Sequence, residues 1–293
     1  MIDERGAGGR FGYGTGRVGG FGLPIPIGRR GGGIGSLILV AVMVFVLPRL
    51  LGGSAGFDVG PGFERFDANG APGREPLNAP DSQAQLLDFV SFVFDDVQQS
   101  WRENFRRAGR PYREAQLVVF TSNVRSGCGP ASAATGPFYC SADNRAYLDL
   151  TFFRELERAF QAPGDFAQAY VIAHELGHHV QNVLGITSRV LELSARNPED
   201  KNDLSIRMEL QADCLAGVWA YTTFERGLLE EGDIEEGLTA AAAVGDDRIQ
   251  EQATGRIDPE TWTHGSAEQR TRWFQRGFES GDADSCDTFD TDI

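Results

Sequence analysis

The sequence predicts an α+β, mainly helical domain with a small sheet, preceded by a single transmembrane helix. Three observations support this prediction. Several segments carry apolar residues at the spacing of one helix face, and each begins at a capping residue. Two short runs, 117–120 and 147–153, are rich in strand-forming residues. The segment 34–51 is apolar apart from Arg49, and its 18 residues are just enough for a bilayer span.

The composition is that of a folded chain with an acidic body. Of the 293 residues, 41% are hydrophobic, which excludes disorder over the whole chain. The net charge is −15, and residues 1–55 hold six Arg against Asp3 and Glu4, so the charge is +4 there and −19 over the remainder. Because binding to phosphate backbones needs a basic surface, we expect no nucleic-acid partner.

The N-terminal quarter is predicted to attach the domain to a membrane. Residues 1–33 form a Gly- and Arg-rich tail, 34–51 the transmembrane anchor, and 52–80 a linker rich in Gly, Pro, Asn and Asp. Arg29 and Arg30 precede the anchor, and the positive-inside rule keeps them in the cytoplasm. We therefore expect a single-pass protein with a cytoplasmic N-terminus and an exported body. A cleaved signal peptide and a buried core helix are the alternatives.

The body, residues 81–293, is predicted to contain five helices. The first begins at the N-cap Asp81 and ends before Gly109. The second has Asp165 as its N-cap and Gln168 three residues on, as in a capping box, and Gly185 ends it. The last three run from about 204 to 226, from Asp233 onwards, and from Ser266 onwards with Gln269 at its N3 position.

Four cysteines lie in the body, and none belongs to a C-x-x-C pair of the kind found in cysteine-rich zinc sites. Cys128 and Cys140 bound the loop between the two predicted strands, and a bridge between them would stabilise the fold by roughly 2–3 kcal/mol. Cys214 and Cys286 are the second candidate pair. Free thiols are the alternative, and the expected export favours the bridges.

The second helix carries the sequence His174-Glu175-Leu176-Gly177-His178, an H-E-x-x-H motif. Residues four apart lie on one helix face, about 6 Å apart along the axis, so the two imidazoles can bind one cation. Glu175 lies beside them and can take a proton from a water at the metal. His179 points about 100° away from His178 and is not expected to be a ligand. The alternative is an ordinary solvated helix face.

A third metal ligand is expected, because catalytic zinc usually has three protein ligands and a water. The third helix offers Glu209 and Asp213, four residues apart on one face, among apolar neighbours. We predict that Glu209 binds the metal and that Asp213 holds the free N–H of one ligand histidine. The alternative is that both acids face solvent, although unpaired acids are costly in a buried helix.

Four short runs of the chain resemble the bacterial family named "putative neutral zinc metallopeptidase". They are H-E-L-G-H-H-V-Q at 174–181, E-L-Q-A-D-C at 209–214, G-P-F-Y-C at 136–140 and T-H-G-S-A-E-Q-R at 263–270. The resemblance implies a zinc peptidase with a Glu as the third ligand, similar in layout to the gluzincins. We therefore expect a zincin-like catalytic domain over 81–293 that holds one Zn²⁺, with a small sheet beside the H-E-x-x-H helix. The predicted anchor places the protein in the bacterial cell membrane. The resemblance does not imply a substrate.

His264 is the last catalytic candidate, since an N–H of its ring could stabilise the oxyanion formed during hydrolysis. A purely structural hydrogen bond at a helix start is the alternative. Tyr147 and Tyr170 are further candidate oxyanion donors.

The predicted activity is hydrolysis of peptide bonds in a peptide or protein substrate, with the edge strand of the sheet pairing with the extended chain. A zinc-binding membrane scaffold and a zinc amidase acting on cell-envelope material are the alternative functions. An intact Glu175 argues against the scaffold, which needs no base. The sequence gives no indication of oligomeric state.

Overall fold

The computed structural model describes residues 1–5 and 82–293, and this part of the chain contains eight α-helices and six strands. The helices are α1 (Ser82–Arg107), α2 (Phe152–Arg158), α3 (Asp165–Leu184), α4 (Ile186–Arg196), α5 (Lys201–Glu225), α6 (Asp233–Ala243), α7 (Asp246–Thr254) and α8 (Ala267–Ser280). The strands are β1 (Ile2–Asp3), β2 (Gln116–Phe120), β3 (Asn123–Ser126), β4 (Gly129–Ser132), β5 (Phe138–Cys140) and β6 (Arg145–Asp149).

Four of the strands form one sheet in the order β1-β2-β6-β5. The pairs β1–β2 and β2–β6 are parallel, and β5 runs antiparallel to β6 at one edge. The first residues, which the sequence assigned to a tail, therefore form the opposite edge strand. Because side chains alternate across a sheet, Leu117, Val119 and Leu148 face the main core, whereas Val118 and Tyr147 face a smaller cluster on the other side.

The helices α3, α5 and α8 form the centre of the main core, and glycines allow them to approach closely. A Cβ on Gly177 of α3 would lie 2.9 Å from the carbonyl oxygen of Ala212 in α5. A Cβ on Gly277 of α8 would meet the carbonyl oxygen of Cys214 in α5. These contacts bring the backbones together at the middle of α5, next to the predicted Glu209 and Asp213.

The start of α3 differs from the predicted capping box. Its N-cap is Gly164, Asp165 lies in the first turn, and the side-chain oxygen of Gln168 makes no hydrogen bond. The backbone N–H of Phe166 instead donates to the carboxylate of Glu236, which α6 supplies from 70 residues away (3.1 Å). The capping box predicted at the start of α8, between Ser266 and Gln269, is confirmed. A local sequence pattern identified α8 because both partners are local there.

The second predicted strand, 147–153, is corrected at its end. β6 stops at Asp149, and the chain turns directly into α2. The carboxylate of Asp149 accepts the backbone N–H of Ser122 (2.9 Å) and that of Thr151 (2.9 Å), so it holds the turn after β6 against the end of β2. The run of bulky residues 150–153 packs against the core from the turn and the helix rather than from a strand.

The cysteines form two pairs at disulfide distance. The sulfurs of Cys128 and Cys140 are 2.11 Å apart, and those of Cys214 and Cys286 are 2.01 Å apart. The first pair joins the turn between β3 and β4 to the end of β5 and lies at the sheet face away from the main core. The second pair joins α5 to a short 3-10 turn, Ala283–Cys286, near the end of the chain.

The prediction of a membrane-spanning helix is corrected. Within residues 1–5 and 82–293, no helix combines the length and the apolar character that a bilayer span requires. The helices α1, α5 and α3 are long enough, with 26, 25 and 20 residues, but polar and charged side chains recur along all three. The segment 34–51 lies outside the described residues. The fold class is therefore mainly helical with a small sheet, and the expected single-pass location in a bacterial membrane has no support here.

Candidate metal centre

The middle of α3 is buried, and it brings the H-E-x-x-H side chains into the core. His174 and Glu175 are 6% and 7% exposed. Glu209 of α5 is 3% exposed and lies directly opposite. The close contact of α3 and α5 at Gly177 allows Glu209 to face His174 and Glu175, because a larger residue at position 177 would separate the two helices. Burial of so many charged groups is costly unless they are paired or bind a metal ion.

Four donor atoms converge between α3 and α5. The Nε2 atom of His174 lies 3.2 Å from Oε2 of Glu209, and the Nε2 atom of His178 lies 3.5 Å from Oε1 of the same carboxylate. One ligand atom from each of the three residues falls within 4.8 Å of the others. Nε2 of His178 is buried and makes no hydrogen bond. An orphaned imidazole nitrogen among such donors fits a zinc ion.

The other nitrogen of each histidine is held by a hydrogen bond. Nδ1 of His174 lies 2.8 Å from Oδ1 of Asp213, and Nδ1 of His178 lies 2.8 Å from Oε1 of Gln181. Since these acceptors fix the proton on Nδ1, they leave both Nε2 atoms free to bind a metal. Asp213 therefore occupies the position that the sequence predicted for it, whereas Gln181 had no predicted role.

Asp213 belongs to a buried cluster that the sequence did not predict. Arg270 of α8 donates from Nε to Oδ2 (2.8 Å) and from an Nη atom to Oδ1 (2.9 Å), in a two-point contact. The hydroxyl of Tyr170 also donates to Asp213, and Arg270 donates to Tyr170 (3.2 Å). Tyr170, predicted as an oxyanion donor, is thus placed behind His174 rather than at an open site.

The pKa shifts describe a centre with ionised carboxylates. Burial opposes charge on Glu209, but the nearby His178, a hydrogen bond to His174 and the charge of His264 hold its pKa well below the usual value. Burial also opposes charge on His174, but Asp213 and the hydrogen bond to Glu209 outweigh it and raise the pKa to about 9. The pair of Asp213 and Arg270 keeps the carboxyl pKa lowered despite burial. Negative charge is therefore available for a cation.

Glu175, next to His174 in α3, has one carboxylate oxygen without a partner. Its Oε2 atom is buried and makes no hydrogen bond. Burial raises its pKa, against the lowering effect of His174, His178 and the backbone N–H of Tyr139. A raised pKa makes a carboxylate a stronger proton acceptor. The edge strand β5, which contains Tyr139, lies beside Glu175.

A second network attaches β5 to α3. His179 is fully buried; its Nδ1 lies 2.9 Å from the hydroxyl of Tyr139 and its Nε2 2.6 Å from the carbonyl oxygen of Arg113. Asn182 donates to Tyr139 (3.1 Å) and to Asn144 (3.0 Å). His179 is thus not part of the donor cluster, in agreement with its expected direction. It supports the strand next to Glu175.

The structure places His264 close to the centre but not in the donor cluster. Its Nδ1 lies 3.0 Å from Oδ1 of Asp246, which also accepts the backbone N–H of His264 (2.7 Å). The neighbouring Gly265 packs against Leu210, next to Glu209 in α5. Asp246 therefore fixes the ring of His264 through Nδ1, and it does not bind Nε2.

The third oxyanion candidate lies elsewhere. Tyr147 faces the sheet side away from α3, where its ring stacks on Phe138 and its hydroxyl donates to Asp143 (2.7 Å). The alternation of side chains along β6 decides this direction.

Arg270, Gln181 and Asp246 are the important residues that sequence reasoning missed. Arg270 and Gln181 lie at the ends of two quoted runs, 263–270 and 174–181. For Gln181 a signal existed, because it stands three residues after His178 and so on the same helix face. Arg270 and Asp246 reach the site from other helices, so no local spacing could indicate them.

Comparisons with known proteins identify the family of this chain. The sequence profile of the family described as "Putative neutral zinc metallopeptidase" matches residues 1–289. The chain belongs to this family. The protein YpfJ of Escherichia coli (strain K12) is 39% identical over 284 residues, which cover 94% of this chain and 92% of YpfJ. Rv2575 of Mycobacterium tuberculosis (strain ATCC 25618 / H37Rv) is 49% identical over 189 residues, 61% of this chain and 63% of that protein. No solved structure matches the chain.

Proposed function

We propose that the protein is a zinc-dependent peptidase that binds one Zn²⁺ through His174, His178 and Glu209 and uses Glu175 as its general base. The observation that carries this proposal is the pair of orphaned buried atoms at one place, Nε2 of His178 and Oε2 of Glu175. Buried polar atoms are rarely left without partners. A zinc ion held by His174, His178 and Glu209 would satisfy the first atom, and the water of the reaction would satisfy the second.

Each of the chain's residues at this centre has a separate role in the proposed reaction. When bound, zinc would act as a Lewis acid that lowers the pKa of water and polarises a carbonyl group. Glu175 takes the proton of the attacking water and later gives it to the leaving amine, and its raised pKa suits both transfers. Asp213 and Gln181 hold the ligand histidines in the tautomer that binds through Nε2.

Two further features support hydrolysis of a peptide bond. His264, held by Asp246, is the candidate donor to the oxyanion of the tetrahedral intermediate. The strand β5 is an edge of the sheet, and the backbone N–H of Tyr139 is directed to Glu175. An extended substrate could add to this edge by backbone hydrogen bonds and present its scissile bond to the base. We propose this as the substrate site.

The first experiment measures zinc content by elemental analysis on the full chain, beside the variants His174→Ala, Glu209→Ala and Glu175→Gln. We expect one zinc per chain in the wild type and large losses in the two ligand variants. Glu175→Gln should keep zinc. His179→Gln is the matched control, since it removes an imidazole from the same helix outside the donor cluster and should also keep zinc.

Turnover is measured on a panel of peptides and on cell-envelope fragments. The wild type should cleave peptides, and Glu175→Gln should lose roughly 10²–10⁴-fold in rate while it keeps zinc. A Glu175→Gln variant as fast as the wild type would exclude Glu175 as the base. Cleavage of envelope amides alone would favour the amidase function, and a wild type without zinc would refute the whole proposal.

A further inference from the structure

We propose that Gln181 and Gln211 are positioning residues for the metal ligand His178, and that the C-terminal segment (residues 286–291) completes their network. Metal retention would then depend on the bridge between Cys214 and Cys286. This inference rests on the proposed function, because it assumes that His178 binds the metal.

The network is a continuous chain of amide hydrogen bonds. Nδ1 of His178 donates to Oε1 of Gln181, as described above. Nε2 of Gln181 donates to the carbonyl oxygen of Met208 (2.7 Å) and to Oε1 of Gln211 (3.1 Å). Nε2 of Gln211 donates to the carbonyl oxygen of Cys286 (2.9 Å). Gln181 is fully buried and Gln211 is 7% exposed, so water does not easily replace these partners.

The two ligand histidines are therefore supported differently. His174 is held by the carboxylate of Asp213, which Arg270 fixes with a buried ion pair. His178 is held by a neutral amide, whose direction depends on its own partners. A glutamine side chain has three rotatable bonds, so Gln181 orients His178 only while Met208 and Gln211 hold its amide.

The last partner in the chain is not part of any helix that carries a ligand. Cys286 lies in the C-terminal 3-10 turn, and its bridge to Cys214 holds its carbonyl oxygen over α5. Thr288 donates to the carbonyl oxygen of Arg207 (2.7 Å), and Arg207 donates back to Thr291 (3.0 Å). Without the bridge, these few polar contacts and the packing of Phe289 would have to hold the segment.

The test compares zinc loss to a chelator in variants of the full chain. Gln211→Met keeps the volume of the side chain and removes both hydrogen bonds. Its control is Gln98→Met, since Gln98 is also buried and also donates to a backbone carbonyl, that of Ala115, in a different part of the fold. We expect zinc to leave Gln211→Met about 10–100-fold faster than it leaves the wild type, and Gln98→Met to match the wild type.

A second pair of variants leaves every side chain of the network in place. Replacing Cys214 and Cys286 by Ala removes the bridge under the network, and replacing Cys128 and Cys140 by Ala removes the bridge at the far sheet face. Both variants lose stability, but only the first should lose zinc faster. The visible spectrum of the cobalt-substituted protein should change in the same variants, because it reports the geometry of the ligands and not global stability.

The outcomes separate this inference from the function on which it rests. A wild type that holds no zinc would overturn both. A wild type that holds zinc, with equal rates of zinc loss and equal cobalt spectra in Gln211→Met and Gln98→Met, would overturn this inference alone. Should Gln211→Met fail to fold, the two bridge variants decide: equal zinc loss from both overturns the inference.

Discussion

The buried ion pair between Arg270 and Asp213 gives a quantitative test of how the centre is built. Arg270→Met removes the guanidinium and leaves a carboxylate that is fully buried. The variant loses two hydrogen bonds to Asp213, one to Tyr170 and one to the carbonyl oxygen of Val244. Asp213 keeps its contacts with His174 and Tyr170 but loses its two-point contact with a permanent positive charge. Removing one partner of a buried pair costs up to about 3–5 kcal/mol. We expect a loss of this size in the free energy of unfolding.

The matched control is another two-point contact of the same residue types. Arg226 binds Asp96, but the side chain of Arg226 is 39% exposed, so water can take its place as the partner of Asp96. Pairs with an exposed partner contribute about 0–1 kcal/mol, and Arg226→Met should cost about that much. Both variants are unfolded with urea as zinc-free proteins, because bound zinc would add its own stabilisation. If Arg270→Met costs no more than Arg226→Met, the buried cluster does not support the centre as argued.

Three further predictions concern the centre. The raised pKa of His174, about 9 without metal, means that zinc must displace a proton at neutral pH, so zinc affinity should rise with pH up to about 9. Calorimetry in two buffers of different ionisation enthalpy measures that proton, and equal heats would contradict it. Gly177→Ala should push α3 from Ala212 and lower the free energy of unfolding by about 1–3 kcal/mol, measured by urea denaturation; wild-type stability would refute the close approach. His264→Ala should keep zinc and lower kcat by roughly 10²–10³-fold, and Asp246→Asn should lower it less, because the ring remains. Unchanged kcat in His264→Ala would make its role structural.

The sequence could indicate the site residues because they come in two pairs, and both members of each pair lie on the same helix. His174 and His178 are four residues apart, as are Glu209 and Asp213, and helical periodicity alone puts each pair on one face. The sequence therefore indicated that two helix faces carry the site. The capping box at Ser266 was found for the same reason, since both of its partners are local.

The predictions that failed depend on partners distant in the chain. The N-terminus of α3 is held by Glu236 rather than by its own Gln168, and no local pattern can show a partner 70 residues away. The run after Asp149 has strand-forming residues, but the carboxylate of Asp149 binds the backbone N–H of Ser122, 27 residues away, where the chain turns into α2. The surroundings of Tyr170, a candidate oxyanion donor, also depend on a distant partner, because the approach of α8 encloses it with Arg270.

The sequence by itself determined the kinds of atoms available, two imidazoles and two carboxylates at helical spacing, and the acidic charge of the body. Only the tertiary structure decided which atoms meet. The close approach of α3 and α5 at Gly177 sets the distance between the histidines and Glu209. Packing of α8 on α5 brings Arg270 to Asp213, and the Cys214–Cys286 bridge brings a carbonyl oxygen to Gln211. These distances depend on how helices pack, and helix packing depends on contacts between residues far apart in the chain.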